Sequence, residues 1–261
     1  MIDLDPKFIQ KIKDHIIQFA DEKFGDIKRE PVLSEDKILF LDTILDYSDN
    51  LARKEKEQII QAIMYVQTAL DIHDFVSIHS YKHDQINQQK QMNVLVGDLL
   101  SGKFYHNLSR VEYIDLIEVI AGAIRTINER KMMIYHSDIH SIEHLIEEMK
   151  EVESAIVIHV AEYFKMTEHH DVIKNWLLMK RLFLELKTYA QEQKSAVITL
   201  LSQSNNEDDV IRMVENMIPG IMIRLESLIQ SLPLHLNELR MFLMNELKRI
   251  SQKQGILLEE G

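Results

Sequence analysis

Cysteine is missing from all 261 residues, so the chain forms no disulfide and offers no thiolate to zinc. That absence does not by itself choose a compartment. Helix breakers are scarce as well: 4 prolines and 7 glycines punctuate a chain that is 46% hydrophobic. The segments between them repeat apolar residues at helical rather than strand spacing, which predicts an all-α protein. An excess of positive charge is also lacking. Thirty Lys and Arg against 42 Asp and Glu leave a formal charge of −12, the wrong sign for a protein that displaces counterions from a phosphate backbone, so nucleic acid is not an expected partner. No apolar run approaches the roughly eighteen residues of a membrane span, and no transmembrane segment is expected. The opening Met1-Ile2-Asp3-Leu4-Asp5 has neither the basic nor the apolar part of an export signal. A cytoplasmic location is the resulting expectation.

What the chain does have is a succession of amphipathic helices. Apolar stripes predict helices over about 6–24 (Phe8, Ile9, Ile12, Ile16, Ile17), 34–50 behind a Ser34 N-cap, 54–76 and 92–108. The polar run 79–91 (HSYKHDQINQQKQ) reads as a loop or a solvated helical extension. Ser109 and Glu112 have capping-box spacing, predicting a fifth helix to about 133, and Ser204 with Glu207 has the same spacing. Further helices are expected near 141–164, 168–193 and 234–251, with Pro219-Gly220 kinking or breaking the one between. No internal repeat, linker or composition shift marks a boundary, so one helical domain spanning 1–261 is expected.

Chemistry concentrates in two segments, 67–76 (QTALDIHDFV) and 94–109 (VLVGDLLSGKFYHNLS). They resemble the first aspartate-rich region and the following helix of the trans-prenyl diphosphate synthases. In that family an H-D-D-x-x-D cluster sets carboxylates on one helical face, where they hold the Mg²⁺ ions that bridge the allylic diphosphate and stabilise it as a leaving group. Here the same positions read His73-Asp74-Phe75-Val76-Ser77-Ile78, so only the first acid survives; Phe75 and Ile78 ligate nothing. Asp71 lies three residues before Asp74 on the same face. Two acids make a poor cradle for Mg²⁺ and diphosphate.

Val94-Leu95-Val96-Gly97-Asp98-Leu99-Leu100 is similar to the family's V-L-A-G-D-Y-L helix, and Ile127-Asn128-Glu129 falls where a G-E pair is expected. The other matches are losses. The family's Arg-Arg-Gly has no counterpart in 79–91, which offers Lys82, His83 and Lys90. Glu153-Ser154-Ala155 replaces Lys-Thr-Ala, an acid where a diphosphate-binding cation is expected, and 176–193 contains no aspartate where the second aspartate-rich region belongs. The C-terminal run 225–249 again looks like the family's closing helices.

This pattern resembles component I, the small regulatory subunit of the two-component heptaprenyl or hexaprenyl diphosphate synthases of Gram-positive bacteria, which make the menaquinone side chain. The strings Gln67-x-Ala69-Leu70-Asp71-x-His73-Asp74 and Val94-Leu95-x-Gly97-Asp98-x-x-Ser101-Gly102-x-x-Tyr105 are those expected of that component. The resemblance implies an isoprenoid-synthase-type helical bundle with no catalytic residues and no cofactor of its own. It also implies a heterodimer with a catalytic component II that carries both aspartate motifs and the Mg²⁺, neither subunit being appreciably active alone. It leaves open whether the free chain pairs with itself. A partner or product-tunnel face is expected on segments 64–76 and 95–108, with Gly97, Asp98, Leu99, Phe104 and Leu108 on it and polyprenyl diphosphate at the interface.

Blander readings stand beside these. Asp74 reads as a helix-surface acid or as a polar group retained near partner or diphosphate. Gly97 reads as a close helix–helix contact, since glycine inside a helix costs about 1 kcal/mol, Asp98 as a structural cap or pair, and the 13 methionines as core filler. A different class is a helical metalloprotein: His136, His140 and His144 recur at i, i+4 and i+8, near Asp138, Glu143 and Glu147. Bundle metal sites draw ligands from several helices, however, and Glu162-Tyr163-Phe164-Lys165 lacks the E-x-x-H pattern of di-iron bundles. A self-sufficient synthase with an unusual acid set is opposed by the missing second cluster, and a plain helical scaffold is the residual alternative.

Overall fold

A computed structural model describes residues 6–24, 33–47, 51–77, 84–110, 113–135, 141–192, 195–202 and 206–254. The described residues form ten α-helices, one short 3-10 turn and no strand: α1 (Pro6–Phe24), α2 (Glu35–Asp46), α3 (Arg53–Ser77), α4 (Asp84–Arg110), α5 (Ile114–Tyr135), α6 (Ile142–Tyr163), α7 (His170–Glu192), α8 (Ala196–Leu201), α9 (Glu207–Gln230) and α10 (Asn237–Gln254), the 3-10 turn Leu234–Leu236 leading into α10. The chain is all-α, as its composition predicts. None of these helices is long and apolar enough to cross a membrane.

Two compact units emerge. The first contains α1 to α4, the beginning of α5 as far as Ala123, and His159–Lys165; the second contains Ile124–Ile158 and the residues from Met166 onward. In the first unit α3 packs along α4 over the longest contact, with α1 and α2 against them. The core of this unit follows from α2 and the middle of α3 being apolar on most sides. Ile38, Phe40, Leu41, Ile44 and Leu45 of α2, and Ile59, Ile60, Ile63 and Tyr65 of α3, have no exposed surface. Tyr65 meets the Phe19 ring of α1 edge-on at 5.7 Å, and burial pushes its hydroxyl up to about 12. In the second unit α7, α8 and α10 pack on α9, closing over Trp176, Met179, Leu182, Met222, Leu225, Leu239, Leu243 and Leu247.

Several helix ends depart from the sequence reading. The polar run 79–91 is helical from Asp84 onward, and its residues 79–83 lie outside the described residues. Ser109 lies within α4, where its hydroxyl donates to the His106 carbonyl at 2.9 Å; its capping-box partner Glu112 lies outside the described residues. Ser204 also lies outside them, and the N-cap of α9 is Asn206, whose side chain accepts from the Asp208 amide at 2.9 Å. Helix α9 runs unbroken through Pro219, because the buried stripe Val214, Ile218, Met222 and Leu225 continues across the proline and that burial offsets the lost backbone bond.

Candidate functional site

The two motif segments face each other within the first unit, on the long α3–α4 contact. Asp71 is already engaged, its Oδ1 accepting from Gln67 Nε2 at 2.8 Å one turn earlier. His73 lies over the backbone of α4 at Gly97, so close that a Cβ added there would sit 2.5 Å from His73 Nε2 and 2.6 Å from Cε1. Gly97 is therefore the close helix–helix contact that the sequence suggested, and the group it admits is an imidazole. The same Nε2 stands 3.8 Å from Asp98 Oδ1, a loose approach beyond hydrogen-bond length. Asp74 is half-buried at the end of α3. The side chain of Phe75 and all of Ile78 lie outside the described residues.

On α4 the expected partner or tunnel residues divide. Phe104 and Leu108 are fully buried with Val96 and Leu100 in the core of the unit, Leu99 is half-buried, and Asp98 projects outward with 68% of its side chain exposed. Lys103 Nζ rests 4.8 Å from the centre of the Phe19 ring. The outward face of α4 carries Val94, Leu95, Gly102 and Tyr105, all of them in the string that the sequence reading quoted, although it did not assign them to one face. A signal for them existed: apolar residues occur on both sides of this helix, one more face than a helix half-buried in its own chain requires.

In the second unit, Glu153 occupies the place where the family's lysine is expected. Its carboxylate accepts from Arg181 Nη1 of α7 at 2.9 Å, and Arg181 Nε reaches Glu185 Oε1 at 2.6 Å. Glu185 is buried; its other oxygen accepts from the Ser195 hydroxyl and from the Val197 amide at 3.4 Å. Ser195 in turn caps α8 through the Ile198 amide. Arg181 is the functional residue that motif reading missed, since nothing in a single sequence pairs it with an acid 28 positions earlier. Lys174 and Glu151 form a second α7–α6 pair at 2.7 Å.

These residues do not fit a Mg²⁺–diphosphate site. A hard cation needs several free oxygen ligands converging on it. Of the two acids left in the first motif, one holds a glutamine amide; the buried acid of 176–193 is spent on Arg181 and the start of α8. No chemical step through a metal follows from this chain. The histidine alternative fares no better. His136 and His140 lie outside the described residues, while His144 Nε2 stands 3.4 Å from Glu148, whose carboxylate takes Arg130 Nη1 at 2.8 and 3.0 Å. Among the described residues no cluster of three His, Asp or Glu side chains is arranged to hold a metal ion.

Comparison with known proteins identifies the family. A family model described as heptaprenyl diphosphate synthase subunit 1 matches residues 25–230. Among curated proteins, heptaprenyl diphosphate synthase component 1 of Geobacillus stearothermophilus is 33% identical over 152 residues, covering 58% of this chain and 67% of that protein. With a match over most of its length and a relative of that similarity, this chain belongs to the heptaprenyl diphosphate synthase subunit 1 family.

Proposed function

We propose that this chain is the non-catalytic subunit of a cytoplasmic two-component synthase of long polyprenyl diphosphates, heptaprenyl or hexaprenyl, for the menaquinone side chain. It is required for the activity of the catalytic component and helps to set product length. The observation that carries the reading is the Glu153–Arg181–Glu185 network. Where a catalytic synthase is expected to present a cation to diphosphate, this chain presents an acid and neutralises it internally, and it keeps the surrounding helices. The carboxylates and Mg²⁺ then belong to the partner.

A physical division of labour follows. A growing prenyl chain is hydrocarbon, and each CH₂ it buries contributes about 0.8 kcal/mol. A second subunit that extends or closes the apolar tunnel therefore decides where elongation stops. Reconstitution tests the proposal: the chain alone, the catalytic component alone and the mixture are given farnesyl and isopentenyl diphosphates. Long-chain product from the mixture only is expected. Product from this chain alone, or a catalytic component indifferent to its presence, defeats the reading.

A further inference from the structure

The glycines of α4 differ in what surrounds them. Gly97 is filled by the His73 ring, whereas a Cβ at Gly102 would meet nothing within 4 Å. A glycine inside a helix weakens it, and at Gly102 no neighbour among the described residues accounts for the weakness. The surface around it is unusual as well. Winding α4 at about 100° per residue puts Val94, Leu95, Asp98, Gly102 and Tyr105 on one outward face, opposite the buried Val96, Leu100, Phe104 and Leu108. Leu95 is 55% and Tyr105 48% exposed, with Val94 at 38%. Three exposed apolar side chains flank an acid and a gap that lets another backbone come close.

We propose that this face of α4 is the docking surface for a helix of the catalytic subunit, one with an apolar stripe and a lysine or arginine opposite Asp98. The inference rests on the function proposed above and names the surface that function needs. The face extends over three turns, about 17 Å, a length suited to another helix packing along it. Tyr105, which ends the patch, is of a residue type that anchors interfaces. Charge selects the occupant. In a symmetric pairing of two copies with the two-fold axis at the centre of this face, each α4 meets its own image, which brings the Asp98 carboxylates together between chains that each carry −12, a repulsive arrangement. A different subunit can bring a cation to the same point.

The test uses the full chain and the separately purified catalytic component. Their Kd is measured by calorimetry, alongside long-chain product formation. Three variants probe the face: Leu95→Glu with Tyr105→Glu, Gly102→Leu, and Asp98→Lys. Met241→Glu, at an exposed apolar position of α10, is the control. Gly102→Leu replaces an exposed glycine by a better helix former, so the fold is retained, which circular dichroism of the free variant verifies. The first two variants are expected to raise Kd at least tenfold and Asp98→Lys to raise Kd and reduce its salt dependence, with Met241→Glu unchanged. If all variants bind like the wild type while the wild type activates synthesis, the docking face is wrong and the proposed function stands. A free chain that is a dimer dissociated by Gly102→Leu assigns the face to a second copy and overturns the inference. A wild-type chain that neither binds nor activates the catalytic component sinks both.

Discussion

His73 and Gly97 show how a degenerate motif keeps a structural use after its acids are lost. Alanine at 97 brings up to about 1 kcal/mol of helix propensity, but its Cβ would fall 2.5 Å from His73 Nε2 and evict the ring. Overpacking of this kind costs about 1–3 kcal/mol. We expect Gly97→Ala to destabilise the chain by about 1 kcal/mol in urea unfolding and to stabilise it by a similar amount in a His73→Ala background. Additive values would show that the ring and the glycine do not share the space. His169 tests burial in the second unit. It is fully buried, neither ring nitrogen has a hydrogen-bond partner among the described residues, and burial pushes it down to about 4. His170 and His235 add to the shift and Glu168 opposes it. Because the folded form holds the proton less tightly than the unfolded chain, this histidine's contribution is intact above about pH 6.5 and is lost as pH falls from there toward 4. The gap between the two values corresponds to about 3 kcal/mol. Thermal unfolding between pH 7.5 and 4.5 should therefore decline less steeply in His169→Leu than in the wild type; parallel declines would refute the assignment.

Among the helices, the sequence was most legible where one face is apolar and the ends are marked. Pro6 at its first position places α1, and Ser34, whose hydroxyl accepts from the Lys37 amide, opens α2. It was least legible where a local signal competes with burial. Ser109 and Glu112 have cap spacing, yet Leu108 is pulled into the core and α4 carries on past the serine. Helix α8 is six residues long, too short for a periodic stripe, and depends on Ser195 and on Glu185 from the preceding helix. In the candidate site, the departures from the family's pattern were readable residue by residue at Phe75, Glu153 and the aspartate-free stretch 176–193. The compensation was not, because the Arg181 pairing links α6 to α7. That link yields a prediction for the helix pair. Restoring the family's lysine with Glu153→Lys removes one partner of Arg181 and sets two cations side by side. We expect a loss of about 1–3 kcal/mol in thermal or urea unfolding and no long-chain synthesis by the chain alone. A stabilised variant, or one that makes product unaided, would contradict the network's role.

For the whole molecule, helical content was plain from the scarcity of glycine and proline, while the two compact units were not marked. Their division falls within α5 and α6, where the chain is continuous helix and no linker composition signals it. The outward face of α4 was legible only in part: apolar residues occur on both its sides, but Leu95 and Leu100 look alike in sequence and only packing separates the exposed one from the buried one. The proposed association with a catalytic subunit should then appear as a change in the stability of the chain. A partner that binds only the folded form stabilises it by RT ln(1 + [L]/Kd), about 2.7 kcal/mol at a hundredfold excess over Kd. For a chain of this size that corresponds to a rise in Tm of about 5–10 °C, growing with partner concentration. The rise should originate in the first unit, so amide exchange ought to slow most along α3 and α4 when the catalytic subunit is added, and Leu95→Glu with Tyr105→Glu should abolish both effects. Slowed exchange confined to α7–α10, with the Tm rise undiminished in that double variant, would place the contact on the second unit and remove α4 from the interface.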